Sequence, residues 1–461
     1  MRTHITAANN RSPTLQKLRS HLPSILVCLL ILAYGLYFSL YTVTRHQALM
    51  TQSFDLSVYV QSLWNTLQGD FLRVTIQPGK PVYFQHHFAP SMLLFVPIYA
   101  IWPDPAWLLI LQSVIVASGA WPMYRLALRL TKRDVVAVGF ALVYLLSPAL
   151  QAANLYDFHE ITIAAPLLIW AWYFARTQRW PQFAVAGVLA LGFREEAVII
   201  MLGMGVILAL DKSTRKVGWI TLAGSGVWLI ILLLVSFQQA SFDMNAALYF
   251  ESRFNLGGSP TEALLNITRN PTIITDRILT SQKISYLVNL FASVGFLPFF
   301  SWQTLFLVAP SVFLNLLGDF EFLYSPAQAQ YNALLAPFVV YTAVAGFVWL
   351  VGVLGRKTKF KPFFWGNILL VFVLMLSLGY HLRLAHLPYS PYFKWPQVTE
   401  RDQLARQIAS QIPLDRSLSV QDNLAPNPQV PVLWFRTGSM MMRSQRTTSG
   451  GQCGSSMEQS T

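Results

Sequence analysis

The sequence predicts an all-α, polytopic transmembrane helix bundle, and three observations carry that prediction. Of 461 residues, 54% are hydrophobic and 14% aromatic, while only 11% are charged, less than half the share usual in a soluble domain. The apolar residues fall in runs of up to about 20, which at about 1.5 Å per residue cross about 30 Å of hydrocarbon. The basic residues stand in short clusters between those runs, so the formal charge of +13 has to be read by position. That layout argues against a nucleic-acid partner, which would require a basic, water-exposed face. The composition also excludes a disordered chain, a collagen-like repeat and a disulfide scaffold, since the only cysteines are Cys28, inside an apolar run, and Cys453, near the end.

Taken in order, residues 1–23 read as a cytoplasmic tail carrying Arg2, Arg11, Lys17 and Arg19. The run 24–43 follows with no small-residue cleavage site after it, so it reads as a retained anchor with the N-terminus in the cytoplasm. Further runs lie at 106–124, 134–151, 161–175, 182–192, 197–210, 217–237, 284–300, 302–317, 332–354 and 363–381. The stretch 88–102 is short for a crossing and is closed by Pro103-Asp104-Pro105. A full crossing there would place Arg125, Arg129, Lys132 and Arg133 outside, so it is expected to lie in the outer interface. With that choice, 17 of the 33 basic and two of the 20 acidic residues fall on the cytoplasmic side, which carries about +15 against about −2 outside.

This map gives nine crossings, or eleven if the short runs 182–192 and 197–210 each cross. The transmembrane domain covers 24–381, with outer loops at 44–105 and 238–283, an outer segment at 382–426 and a polar, disordered tail at 427–461. No repeat of fixed period is visible.

Four groups of residues are candidates for chemistry at the outer face. In the segment 53–70, Leu56, Val60, Leu63 and Leu67 make one apolar helix face, with Asp55 at its start and Gly69 just past its end. Asp55 reads as an N-cap, as a carboxylate able to take a proton from an attacking hydroxyl, or as both. His86 and His87 follow; neighbours on a helix diverge by about 100°, so at most one points into a site, as a phosphate ligand or proton shuttle. Asp157, His159 and Glu160 follow the Ser147-Pro148 break and read either as a cap with solvated neighbours or as a set that, with Asp55, positions substrate or a divalent cation. Arg194, Glu195 and Glu196 interrupt an apolar stretch, where charge is costly unless used. They read as a phosphate clamp with balancing carboxylates or as an internal ion pair. Asp319, Glu321, Tyr324, Gln330 and Tyr331 fringe another turn, and Arg253, Arg269 and Arg277 a further one. Walker, GxSxG, HExxH and CxxC motifs are absent from the sequence.

The run Phe54-Asp55-Leu56-x-x-Tyr59-x-Gln61-x-x-Trp64-Asn65, followed by His87-Phe88-Ala89-Pro90, Leu146-Ser147-Pro148 and Asp157-Phe158-His159, resembles an uncharacterised prokaryotic membrane family classed as a domain of unknown function. Arg194-Glu195-Glu196, Gly295-Phe296-Leu297-Pro298 and Gln330-Tyr331 add to the likeness, which covers roughly 50–426. That family in turn resembles the GT-C membrane glycosyltransferases, which include the protein mannosyltransferases and the lipid A aminoarabinose transferase. The resemblance implies a cytoplasmic N-terminus and transfer of a sugar from a polyprenyl-phosphate donor at the outer face of the cell membrane. It implies Asp55 as the catalytic acidic residue and Arg194 as the basic residue near the donor phosphate. His86, His87, Asp157, His159, Glu160, Glu195 and Tyr331 are then expected to bind substrate. No cofactor beyond a candidate divalent cation is implied. A transporter or lipid flippase, for which charged breaks between half-helices are equally natural, and a non-catalytic membrane scaffold are the competing expectations. The sugar, the acceptor and the oligomeric state are not specified by the sequence.

Overall fold

The computed structural model describes residues 13–76, 81–242, 251, 253–385, 389–391, 393–411 and 426. It is an all-α bundle; the only extended pairing among the described residues is the isolated bridge between Arg73 and Val82. The expected tail 427–461 lies outside the described residues.

Helix α1 (Pro13–Gln47) shows why the bundle belongs in a bilayer. Tyr34, Phe38 and Tyr41, spaced four and three apart, are buried, whereas Leu29, Leu32, Leu36 and Leu40 point outward. An outer face this apolar is stable only against lipid. Among the described residues, five helices are long and apolar enough to cross a membrane: His21–Gln47 within α1, Ala106–Thr131, Arg215–Val235, Ala336–Lys357 and Pro362–Leu384. A sixth crossing results if Asp134–Leu145 and Pro148–Leu155, bent by 41° at Ser147-Pro148, count as one.

Between them come shorter pieces. Helix α2 (Val58–Leu67) follows α1, with Leu56, Val60 and Leu63 buried as the expected apolar face. The stretch 88–102 forms a 3-10 turn, Pro90–Phe95, running into α3 (Val96–Ile101), too short to cross. Next come α4 (Ala106–Ser118) and α5 (Ala120–Thr131), then α6 (Asp134–Leu145) and α7 (Pro148–Leu155). Helix α8 (Glu160–Arg176) pairs with α9 (Trp180–Phe193), and α10 (Ala197–Leu210) with α11 (Arg215–Phe242). The short helices α9 and α10 meet at residues 194–196, as expected for half-length runs around a charged break.

The expected runs 284–300 and 302–317 are not continuous helices. After α12 (Pro260–Arg269) and α13 (Thr272–Ile278), α14 (Ser281–Ala292) ends ahead of Gly295 and Phe296, both with left-handed backbone. Short turns follow before α15 (Ala309–Leu317). A left-handed pair ends the α-helical ladder whatever its hydropathy, so the apolar run breaks into pieces. Lys283 secures the far end of this region, its Nζ donating to the carbonyls of Leu316 (2.6 Å) and Gly318 (2.7 Å). Helix α16 (Ala336–Lys357) packs closely on the 297–300 turn at Gly346, where an added Cβ would fall 1.9 Å from the Leu297 carbonyl oxygen. Helix α17 (Pro362–Leu384) completes the bundle, and α18 (Glu400–Ser410) carries a capping box from Thr399 and Asp402.

The bundle has two chemically different ends. At one, Arg133 lies over the Phe363 ring and donates to Asn367 (2.5 Å), which brings the basic cluster before α6 beside the one before α17. At the other, the C-terminus of α1, the start of α2, the α7–α8 turn and the α9–α10 break come together.

Candidate functional site

The site begins with a distorted helix start. Residues Ser53–Ser57 form a π-helical turn leading into α2, with Gln52 at the cap position and no side-chain cap bond. Asp55 therefore does not act as the N-cap. It sits within the π turn and turns its Oδ1 to His159 Nε2, 3.2 Å away. Single π turns inside helices re-aim side chains in this way, frequently at functional positions. Gly69, with φ +90°, ends the helix as its position predicts.

His159 arrives on the turn between α7 and α8. Asp157, two residues earlier, has a left-handed backbone (φ +73°), which reverses the chain before Glu160 starts α8. Because the helix begins only at Glu160, the three residues diverge. Asp157 pairs with Arg45 and accepts from the Gln52 amide (2.9 Å), His159 faces Asp55, and Glu160 faces α9. The turn is held from α4 by Gln112: Nε2 donates to the carbonyls of Asn154 (3.1 Å) and Asp157 (2.8 Å), and Oε1 accepts from the His159 amide (2.8 Å).

Glu160, fully buried, is the hub. It accepts hydrogen bonds from the Tyr59 hydroxyl and from Arg194 Nη1 (2.6 Å). Arg194, 3% exposed, also makes a two-pronged bond to Glu196, Nε to Oε2 (2.5 Å) and Nη2 to Oε1 (2.9 Å). Its Nη1 lies 3.0 Å from His87 Nε2, while His87 Nδ1 lies 3.3 Å from Glu195. The same Nη1 lies as close to His87 Nδ1, at 3.1 Å, so the guanidinium faces the imidazole as a whole. Glu195 also accepts from the Phe88 amide (2.6 Å), and Ser91 donates to the Leu189 carbonyl (3.1 Å), which ties the 88–95 segment to α9. Gly192 permits this approach, since a Cβ there would fall 2.2 Å from Ser91 Oγ.

Five carboxylates (Asp55, Asp157, Glu160, Glu195 and Glu196) thus surround two guanidiniums and two imidazoles. Burial depresses the His159 pKa, but the hydrogen bond and charge of Asp55, with Glu160 and Asp157, outweigh it and hold the imidazole above its ordinary value. Burial raises the Asp157 carboxyl, with Arg45 opposing it. Burial and the Glu160 charge push the Tyr59 hydroxyl well up, so it serves as a donor.

Asp55, His87, Asp157, His159, Glu160, Arg194 and Glu195 are therefore linked at one end of the bundle. His86 stands next to them with its ring stacked on Tyr83 at 6.5 Å. Tyr331 lies to one side, under the Arg253 guanidinium (4.7 Å) and edge-on to Phe320, lining a cavity shared with Glu196. Asp157 and Glu160 do not share a helix face. Among the described residues no group of three or more His, Cys, Asp or Glu is arranged to hold a metal ion.

Sequence reasoning missed Arg45, Gln112 and the proton-donating role of Tyr59. Gln112 had a usable signal, a lone amide within an apolar crossing, where an unpaired polar group is costly.

No curated protein matches the chain. The sequence profile of a family described as "Predicted membrane protein (DUF2079)" matches residues 45–430, a span that contains every residue of this network, and the chain belongs to that family.

Proposed function

We propose that the protein is a membrane glycosyltransferase that moves a sugar from a polyprenyl-phosphate donor to a hydroxyl acceptor, on the outer face of the cytoplasmic membrane. The observation that carries this reading is the Asp55–His159 contact of 3.2 Å, with Asp55 on a π-helical turn and its side chain 18% exposed, beside the buried Arg194–Glu160 ion pair. Asp55 takes the proton of the acceptor hydroxyl as its oxygen bonds to the anomeric carbon. The bond from that carbon to the donor phosphate breaks, and the phosphate leaves on its lipid. His159 orients Asp55 and supports its charge, while Tyr59, Glu160 and Arg194 fix the two elements against each other. Arg194, held through its N–H edge by Glu160 and Glu196, acts here as a positioning residue. His87, with a 30% exposed side chain, is the imidazole within reach of the substrate. The basic clusters gathered at the opposite end support placing this end outside.

The test is sugar transfer by the purified full chain from polyprenyl-phosphate sugars. Asp55→Asn is expected to lower the rate by about 10²–10⁴-fold, the usual contribution of a general base, with thermal stability close to native. Transfer unaffected by this change rejects Asp55 as the base. Donor left intact while lipid crosses the bilayer favours the transporter reading, which α9 and α10, meeting at a charged break, support independently.

A further inference from the structure

The turns that join α5 to α6 and α16 to α17 meet at the end of the bundle opposite Asp55. Residues 131–134 and 356–362 hold Lys132, Arg133, Arg356, Lys357, Lys359 and Lys361 against one acid, Asp134. Asp134 opens α6, where its charge suits the helix N-terminus, and it accepts from the Tyr124 hydroxyl (3.0 Å). Among the described residues, none of the six basic side chains pairs with a carboxylate, whereas Arg45 and Arg194 at the other end both do. Like charges gathered without counter-charges repel one another, so this surface gains from an anion.

Apolar rings stand beside these charges. Phe363 is 65% exposed, with the Arg133 guanidinium 4.4 Å from its centroid. Phe360 and Phe364, also exposed, stack at 4.6 Å, and Trp365 lies edge-on to both, its Nε1 donating to Thr358 Oγ1 (2.8 Å). Gly366 lets Arg133 lie against the start of α17, since an added Cβ would fall 2.4 Å from its Nη1. Rings with one apolar and one wet side mark the level at which a helix leaves the hydrocarbon. A soluble anion neutralises the charges but leaves the rings in water. An anionic lipid satisfies both, with its phosphate at the basic side chains and its acyl chains against the rings.

We propose that the α5–α6 and α16–α17 turns form a docking surface for the headgroups of anionic bilayer lipids, with Lys132, Arg133, Lys359 and Lys361 at the phosphates and Phe360, Phe363 and Phe364 at the acyl boundary. Bound lipid anchors this end of the bundle at the membrane surface. That lipid is a component of the bilayer and not a substrate, because Asp55 and Arg194 stand at the other end, and the surface exists whether or not the protein transfers sugar.

The test uses the full chain in a non-ionic detergent, with short-chain phosphatidylglycerol, phosphatidylcholine of the same chains and glycerol 3-phosphate as separate probes, read by equilibrium binding at low and high salt. Phosphatidylglycerol is expected to bind at least about tenfold more tightly than either of the others, since only it carries both net charge and acyl chains, and to lose affinity as salt rises. Each basic residue near an anionic surface contributes about fivefold. Lys359→Gln combined with Lys361→Gln, both on the exposed turn, is therefore expected to weaken phosphatidylglycerol by about tenfold or more. Phe363→Ala, which removes the ring beneath Arg133, is expected to weaken phosphatidylglycerol and leave glycerol 3-phosphate as it was. Lys212→Gln combined with Lys216→Gln, on the α10–α11 turn, is the control for charge alone and is expected to change binding less than the Lys359 and Lys361 pair. The proposal is overturned if phosphatidylcholine or glycerol 3-phosphate binds as tightly as phosphatidylglycerol, if binding ignores salt, if the Lys359 and Lys361 pair binds as the native chain does, or if the control pair loses as much.

Discussion

At one end of the bundle Arg194 is 3% exposed and shared by Glu160 and Glu196, with each bond fixed by a separate helix end; at the other, Arg133 rests on the Phe363 ring and reaches Asn367 near the surface. The first arrangement takes Arg194 and Glu160 out of water, with Glu196 at its exposed rim, and therefore depends on the buried partners being present. The second leaves its charges hydrated, where Lys132, Arg133 and the cluster at 356–361 act together as a field and no single pair decides much. The difference predicts that substitutions at the first end are individually severe and coupled, and those at the second mild and additive.

The sharpest test of that contrast is Arg194→Leu, which strands the Glu160 carboxylate in a site with no access to water. Loss of one partner of a buried pair costs about 3–5 kcal/mol, read as a large drop in the unfolding midpoint in detergent. Adding Glu160→Gln removes the stranded charge and is expected to restore part of that loss. If the double variant is no more stable than Arg194→Leu alone, the two residues are not coupled and the ion-pair floor is wrong.

Gln112→Leu comes next. It leaves the carbonyls of Asn154 and Asp157 and the His159 amide without their partner in a buried turn. A cost of about 2–3 kcal/mol is expected, given about 1–3 kcal/mol for an orphaned buried polar group with partial relaxation. The same variant should reduce transfer, because His159 loses its backbone anchor. Full activity in Gln112→Leu breaks the link between the α4 amide and the Asp55–His159 pair.

Much of this end was legible before any coordinates. The charged break at 194–196 announces itself because nothing else in a long apolar stretch is ionisable, and the Phe54–Asn65 and His87–Pro90 motifs mark the two segments that meet it. The reasons for the motif are partly structural: Gln61 Oε1 accepts from the Thr75 amide (3.1 Å) and Asn65 donates to the Arg73 carbonyl (2.9 Å), which fold the loop after α2 back onto the helix. What the sequence hides is direction. Asp157 and Glu160 stand three residues apart, the spacing of one helix face, but the left-handed backbone at Asp157 sends them apart. The π turn at 53–57 and the breaks after Ala292 are likewise invisible to hydropathy, which sums transfer free energy and carries no information on φ and ψ. The carboxylates that occupy Arg194 lie in two places, one adjacent in sequence and one 34 residues away, and only the packing of α8 on α9 reveals the second.

A pH titration addresses the same end with a smaller effect. The His159 pKa is raised in the folded protein, so the imidazolium binds its proton more tightly there than in the unfolded chain. Its contribution to stability is complete below the ordinary histidine value of 6.5 and is lost as pH rises through the raised folded value. The groups that face it are Asp55, Glu160 and Asp157, all acidic, so deprotonation removes an attraction from each. Native protein is expected to lose stability as pH rises above 6.5, and His159→Gln to show no such loss. A native profile that parallels the variant eliminates the imidazolium–Asp55 pair.

The smallest effect belongs to the opposite end. Arg133→Ala removes one surface contact with the Phe363 ring, worth about 0.5–1 kcal/mol at an exposed site, and one hydrogen bond to Asn367 that water replaces. Stability should therefore fall by about 1 kcal/mol or less, with little further change when salt is raised, because screening has already reduced what the charge contributes. Transfer should be unaffected, since the contacts of Arg133 run to Phe363 and Asn367 and not to the residues of the Asp55–Arg194 network. The measurement is unfolding at low and high salt beside Arg194→Leu under the same conditions, where a buried pair is expected to ignore salt. A loss at Arg133 equal to that at Arg194 would mean that the basic end is also built from specific pairs, and the division of the bundle into a specified end and a field-like end would not hold.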